Sequence, residues 1–516
     1  MTDRRSTLNS AIKGICTPRA KQEITWIDQN MTQANLEEKM SRKKSFRTVL
    51  ILVITLILMR LLWIGDAAFI LDEPFYVYSG LLSSKSGQFM TLGLPGKFGV
   101  KYGPLTAWFF HVLILLSKNL MVITFLKTLI VSVLLGISVL WLVRLSDDFS
   151  PYYAIPVFLS PYLWHYSRML WDLTPCLVAM GFVAYLWFLK QNRPWQLFIA
   201  MLFSVLATLT HLMSLTIVVA IIAHVIIFRL KWILKYRWYI VLQLFIVLPI
   251  ALPYYIYVLT TPKNDVPWGG FESVLFPFLG TRFFTTFNFS YFLGEGWQGY
   301  PCLPTFCNQL ITFLSTLTWF PYPISWFGFG LGCVTVYRGF RGRGEKDFKF
   351  HASFVALSIV ILHVITCVRA DINTHPHYYD GTWAGMLFFF WLGLSYFWNK
   401  KWFSRTYIAY TIILFIFLLQ IIGKIHFNHG SRSLRYGPTL KNQIQIAKQI
   451  LGYDATTKIV INAFHPKKFP HAIAIITEFL PPHEGDKKSI TGYLLVDYEN
   501  SDDSNGALVV KEIFSE

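Results

Sequence analysis

Asp72 and Glu73 stand side by side in GDAAFILDEPFYVYSGLLSSKSGQF, a few residues past the end of an apolar run. Adjacent carboxylates in such a place read in two ways: a solvated pair favoured by the first turn of a helix, or acids positioned for proton transfer. Asp172, in HYSRMLWDLTPCLVAMGF, raises the same choice, because Thr174-Pro175 marks a helix start and a short acid before it can serve as a cap. Lys101, in GKFGVKYGPLTAWFFHVL, is either a lipid-headgroup anchor or part of a site. His211, Arg282, Arg369, His375, His377 and Tyr378 fall in further turns between apolar runs. Ionisable groups at the rim of apolar segments are costly to place, which makes each a functional candidate.

What these residues can do together depends on the elements that carry them. Of the 516 residues, 54% are hydrophobic, 17% aromatic and only 14% charged, against roughly 25% charged in ordinary globular chains. Runs such as Val49 to Trp63 and Met121 to Val143 approach the length that crosses roughly 30 Å of hydrocarbon. The expected fold is therefore an all-α polytopic membrane protein. The net charge of +18 is spread over short loops and is not gathered on one basic face, which argues against nucleic acid as a partner. The six cysteines show neither a zinc spacing nor a disulfide framework. Cys302 and Cys307 read either as a bridge formed in an oxidising compartment or as two free thiols.

Hydropathy predicts about 11 transmembrane helices: Val49 to Trp63, Met121 to Val143, Tyr152 to Tyr166, Leu173 to Leu189, Trp195 to Thr210, Leu212 to Phe228, Trp238 to Leu259, Ile311 to Tyr337, Phe350 to Val368, Trp383 to Trp398 and Tyr407 to Gly423. Leu105 to Ser117 is apolar enough to suggest a twelfth span but short for one, and the charge pattern favours a horizontal or re-entrant helix. If it lies in the interface, the basic turns Lys190 to Arg193, Arg229 to Arg237, Arg338 to Lys349 and Lys400 to Arg405 all share the side of the basic N-terminal tail, as the positive-inside rule asks. The expected organisation is a cytoplasmic tail over 1–47, a transmembrane domain over 48–423 with external loops at 65–120 and 260–310, and a small external α/β domain over 424–516. Within the last, a helical pattern spans Leu440 to Leu451 and strand-like runs cover Lys458 to Phe464, Tyr493 to Tyr498 and Ala507 to Ile513.

The first-loop Asp72-Glu73, the turn Lys101-Tyr102-Gly103-Pro104 before an interfacial helix, and SRMLWD at the next external turn, in that order and on one side, resemble the glycosyltransferase C superfamily. The nearest groups are the dolichyl-phosphate-mannose-protein mannosyltransferases, or protein O-mannosyltransferases, and the lipid A aminoarabinose transferases. The resemblance runs from about Val49 to Phe228 and more weakly beyond. It implies transfer of a sugar from a polyprenyl-phosphate donor to a hydroxyl of a lipid, glycan or protein, at the outer face of a plasma (inner) membrane, with the C-terminal domain external or periplasmic. On this reading Asp72 is the catalytic acid, Glu73 its neighbour and Asp172 the second acid. Lys101, His211, Arg282, Arg369, His375, His377 and Tyr378 would meet the donor phosphate. A divalent metal ion is the one cofactor it leaves open. The chain departs from the family in two places: His211 replaces a lysine, and Gly103-Pro104 replaces a Pro-Pro pair. A histidine is cationic only near or below its usual pKa of about 6.5.

A transporter or flippase, and a non-catalytic sugar-lipid-binding scaffold, are the competing readings. A flippase gathers its charges near the midplane of repeated halves, whereas these candidates lie at one edge and the sequence has no internal symmetry. The topology has a direct check. Cysteines introduced at Ser84 and Ser117 should both react with an impermeant reagent from outside, and labelling of Ser84 with protection of Ser117 would reject the non-crossing helix.

Overall fold

The apolar runs fold as helices, the arrangement in which a backbone away from water bonds its own polar groups. The computed structural model of the chain describes residues 46–70, 72–96, 99–145, 159–264, 268–270, 321–343, 347–370, 380–398, 400–430, 437–461, 469–483, 485–498 and 507–514. The chain divides into two compact units, Met1–Leu52 and Val53–Glu516. In the first, residues 46–52 are helical; the second begins in helical residues 53–61 and contains every element named below.

In chain order these are α1 (Glu73–Ser86), α2 (Leu105–Leu116), α3 (Leu120–Leu145), α4 (Pro161–Arg168), α5 (Thr174–Gln191), α6 (Pro194–Thr208), α7 (Leu215–Lys235), α8 (Arg237–Thr260), α9 (Pro321–Phe340), α10 (Phe348–Ala370), α11 (Asp380–Phe397), α12 (Lys401–Phe427) and α13 (Leu440–Leu451), then β1 (Lys458–Ile461), α14 (Phe469–Thr477), β2 (Gly492–Tyr498) and β3 (Leu508–Phe514). Among the described residues, five helices are long and apolar enough to cross a membrane: α3, α7, α8, α10 and α12. The count of about 11 spans is thus only partly met. Helices also stand in the described parts of the other expected runs, residues 152–158 and 311–320 lying outside the described residues, but α5 has 18 residues, α6 has 15, and α4 has 8. The 12 residues of α2 extend only about 18 Å.

α5 is buried on every side from Thr174 to Phe182 and beyond, the signature of a central helix. It packs against α3, α6, α10 and α11. α6 returns beside it, and Val205, Val218, Val247 and Ala251 join α6, α7 and α8 in a further apolar cluster. α5 and α7 run away from the Asp172 turn, and α6 and α8 run back toward it.

The C-terminal residues form the expected mixed α/β structure. β1 pairs parallel with β2, Lys458 opposite Tyr493, and β2 pairs antiparallel with β3, Gly492 opposite Phe514. Leu494, Val496 and Tyr498 alternate inward along β2. α13 is capped by Thr439, whose hydroxyl accepts from Asn442 N, and buries Leu440, Gln443, Ile446, Ala447 and Ile450 at helical spacing. This segment belongs to the same compact unit as the helices. Leu440 N donates to Ala67 O at 2.9 Å, His471 of α14 lies 5.7 Å from the Phe75 ring, and Lys85 pairs with Glu478 at 2.7 Å. α14, an apolar helix in FPHAIAIIT, is absent from the expected pattern of one helix followed by strands.

α1 and α2 lie close because Gly80 has no side chain: a Cβ there would stand 2.6 Å from Phe110 Cβ and 2.9 Å from His111 N. Gly80→Ala should therefore destabilise by about 1–3 kcal/mol as the helices part, although alanine is the better helix former. Gly330→Ala, at an exposed point of α9 with open space, should stabilise by up to about 1 kcal/mol. Thermal unfolding of the two variants side by side checks the contrast.

Candidate functional site

Asp72 occupies the N-cap position of α1 with Pro74 in the first turn, yet its carboxylate makes no capping bond to its own helix. Only its carbonyl is used in this way, accepting from Tyr76 N at 3.1 Å. Glu73, the first helical residue, is completely buried. The solvated-pair reading therefore fails for Glu73, because a carboxylate removed from water has lost what makes a first-turn acid inexpensive.

Asp172 does serve as a cap: its Oδ1 accepts from Thr174 N at 3.1 Å, at the start of α5. It is also buried, and burial pushes its carboxyl pKa up to about 6; hydrogen bonding from Thr174 and Trp171 and the charge of Lys127 pull in the opposite direction. Tyr76 of α1 faces the same space. Its phenol is held well above the usual range, first by burial and then by Asp172, Tyr102, Asp72 and Glu73, so it stays protonated. Its ring lies 6.0 Å from Trp171.

Lys127 is the residue that sequence reasoning passed over. It stands in the middle of the apolar run that forms α3, fully buried, and its Nζ donates to the carbonyls of Tyr166 at 2.8 Å and Ser167 at 3.2 Å. These carbonyls close the C-terminal turn of α4, where a cation is favourable. The same ammonium acts electrostatically on Asp172 and Cys176 and feels Glu73. A lone lysine inside a hydrophobic run was the available signal.

The cationic side of the site is built by a hairpin and a turn. Gly93 N donates to Tyr102 O and Tyr102 N to Leu94 O, both at 2.8 Å, which places Lys101 on the returning arm. Two tyrosines of α8 hold Lys101 by its backbone: Lys101 N donates to Tyr257 Oη at 3.1 Å, and Tyr254 Oη donates to Lys101 O at 3.2 Å. The Lys101 side chain stays exposed. Gly103 then lies so close to Leu209 that a Cβ would come within 2.3 Å of its carbonyl oxygen, and Leu105 N donates to that oxygen at 3.2 Å. His211, two residues on, is buried and stacks on Tyr102 with ring centroids 5.1 Å apart. Thr210 Oγ1 and Thr174 Oγ1 share a hydrogen bond of 2.7 Å, tying this turn to the start of α5 two residues from Asp172. Asp72, Glu73 and Asp172 thus gather around Tyr76 at one end of the helices, and Tyr102, beside Lys101 in the hairpin, brings His211 next to them. Burial lowers the His211 pKa to about 4, so at neutral pH its imidazole is uncharged.

Arg369 ends α10 with its guanidinium 5.4 Å above the Trp268 ring, beside a bond of 2.7 Å from Gly269 N to Val368 O. Arg282, His375, His377 and Tyr378, and both Cys302 and Cys307, lie outside the described residues. Among the described residues no three His, Cys, Asp or Glu side chains are grouped as metal ligands. No family model, curated protein or solved structure matches the chain.

The raised Asp172 pKa has a sign that stability can report. Because the folded state holds this proton more tightly than the unfolded chain, the Asp172 contribution to stability is fully present below pH 4 and is lost as pH rises through about 6, roughly 3 kcal/mol in total. Thermal unfolding between pH 4 and 7 should show Asp172→Asn gaining on the wild type across that window. Lys127→Met should extend the fall above pH 6, since the lysine charge opposes the shift.

Proposed function

We propose that the chain is a polytopic membrane glycosyltransferase that moves a sugar from a polyprenyl-phosphate donor to an acceptor hydroxyl at the outer face of the membrane, with the C-terminal α/β segment on that same side. The observation that carries this reading is the grouping of Asp72, Glu73 and Asp172 around Tyr76, with His211 stacked on the neighbouring Tyr102, at the end of a bundle of apolar helices. A site at the edge of an apolar bundle suits a donor whose carrier remains in the lipid. No phosphate-cradling GxxxxGK[ST] loop is present in the sequence.

In the proposed step Asp72 accepts the proton of the acceptor hydroxyl as its oxygen bonds to the sugar C1. The bond from C1 to the phosphate oxygen breaks on the opposite side, inverting the centre, and polyprenyl phosphate leaves. Such general-base assistance contributes roughly 10²- to 10⁴-fold. Lys101 meets the charge growing on the leaving phosphate, an electrostatic contribution of about 3 kcal/mol for a well-placed group. His211, held neutral by burial, supplies an N–H donor, and an incoming phosphate would favour its protonation. Arg369 and, beyond the described residues, Arg282, His375, His377 and Tyr378 are further phosphate contacts on this reading. Asp172 and Glu73 orient the acceptor. A transporter is the weaker alternative because the acids lie at the helix ends.

Purified protein offered radiolabelled polyprenyl-phosphate sugars tests the proposal. Transfer should fall at least about 100-fold in Asp72→Asn with unchanged thermal stability. Equal transfer by variant and wild type would remove Asp72 from the mechanism, and no transfer with any donor would remove the reading itself.

A further inference from the structure

The opposite end of the helices carries charge of the other sign. From Leu173 to Asn264 the chain has no Asp or Glu, and Lys190, Arg193, Lys231, Lys235 and Arg237 fall where α5 passes to α6 and α7 to α8. These two connections touch each other. The Trp232 indole donates to Asn192 O at 3.2 Å, and the Gln243 amide donates to Pro194 O at 3.1 Å. Lys190 Nζ donates to Leu145 O, which brings the end of α3 to the same corner.

Under these cations lies a ledge of aromatic rings. Trp141 stacks on Trp187 at 5.0 Å, Trp187 meets Trp195 edge-on at 5.7 Å, and Trp232 lies 4.9 Å from Phe188 and 4.8 Å from Tyr236. The four indoles are half-buried, while Lys190, Arg193, Lys231, Lys235 and Arg237 are exposed. Lys235 sits over the Tyr236 ring at 5.4 Å and Arg237 over Trp238 at 5.9 Å, with Trp238 itself 75% exposed. Deeper in, α7 leaves helical geometry at Arg229, whose Nε is buried with no described hydrogen-bond partner. Half-sunk indoles beneath long cationic side chains match the layered polarity of a bilayer interface, rings at headgroup depth and ammonium or guanidinium groups reaching out.

We infer that this corner, where α3, α5, α6, α7 and α8 meet, is a docking surface for the headgroups of anionic phospholipids in the leaflet away from the acid pocket. Charge complementarity selects the occupant. The described residues of the two connections present five exposed cations and no carboxylate; a zwitterionic headgroup brings a further cation to them, whereas an anionic headgroup brings only the opposite charge. The inference is independent of what the acid pocket transfers, because it uses none of its residues.

Native mass spectrometry of the detergent-purified full chain, titrated with phosphatidylglycerol or phosphatidylcholine of identical acyl chains, tests it. Phosphatidylglycerol should bind about tenfold more tightly or better, with a preference that shrinks as ionic strength rises. Each of Arg193→Gln, Lys235→Gln and Arg237→Gln should lower that preference on the order of twofold, and the triple variant should nearly abolish it. These side chains are exposed, and circular dichroism of each variant verifies the fold. Equal affinity of the wild type for the two lipids overturns the inference, and so does a preference that survives the triple variant, since the headgroups would then sit elsewhere.

Discussion

Two carboxylates, Glu73 and Asp172, are withdrawn from water at one end of an apolar bundle, and the arrangement around them follows from what that costs. Removing an ion from water carries a penalty of several kcal/mol even after relaxation. Lys127 offsets part of it from within α3. The same ammonium closes the C-terminal turn of α4 through the Tyr166 and Ser167 carbonyls, so the charge that balances the acids also fixes the turn that presents Asp172. Charge balance and positioning are here one interaction, and truncating the lysine would disturb both.

The loop that leads to Asp72 is held as firmly as a core element. Ala67, Ala68, Phe69 and Ile70 are almost fully buried. Asp66 accepts from His426 Nδ1 at 2.9 Å at the end of α12, and the His426 ring stacks on Trp63 at 3.9 Å. Arg168 donates to the Trp63 carbonyl, and the α13 backbone bonds to Ala67. The first loop is thus clasped between the last long helix and the C-terminal α/β segment. These contacts fix the backbone that leads to Asp72 and tie the C-terminal segment into the same compact unit as the helices.

Charge is sorted along the helix axes. The buried acids collect where α5 begins, with Lys127 and Lys101 among them, and the exposed cations Lys190, Arg193, Lys231, Lys235 and Arg237 lie at the other ends of α5, α6, α7 and α8. Between them the sequence is apolar, apart from buried polar links such as Tyr185 Oη to His224 Nδ1 at 2.7 Å and His224 Nε2 to His351 Nδ1 at 3.0 Å. This sorting lets an apolar bundle present two surfaces of unlike chemistry.

Hydropathy and local spacing determined much of this in advance. Long apolar runs have to become helices, Thr439 before LKNQIQIAKQIL has to cap one, and GYLLVDY has to alternate as a strand, because these patterns act over a few residues and need no partner. The acids were legible for the same reason, as charged groups beside helix starts. Which helix ends meet was not. Lys127 was passed over until α4 and the Asp172 turn were placed around it, His211 read as a pH-dependent phosphate contact until burial made it neutral, and Asp172 read as either a cap or a site acid where the structure makes it a buried cap. α14 was missed because its short apolar run has no long periodic pattern. Sequence carries the local terms, periodicity and capping; burial, and with it the charge state of an ionisable group, is decided by residues far along the chain that only tertiary packing brings together.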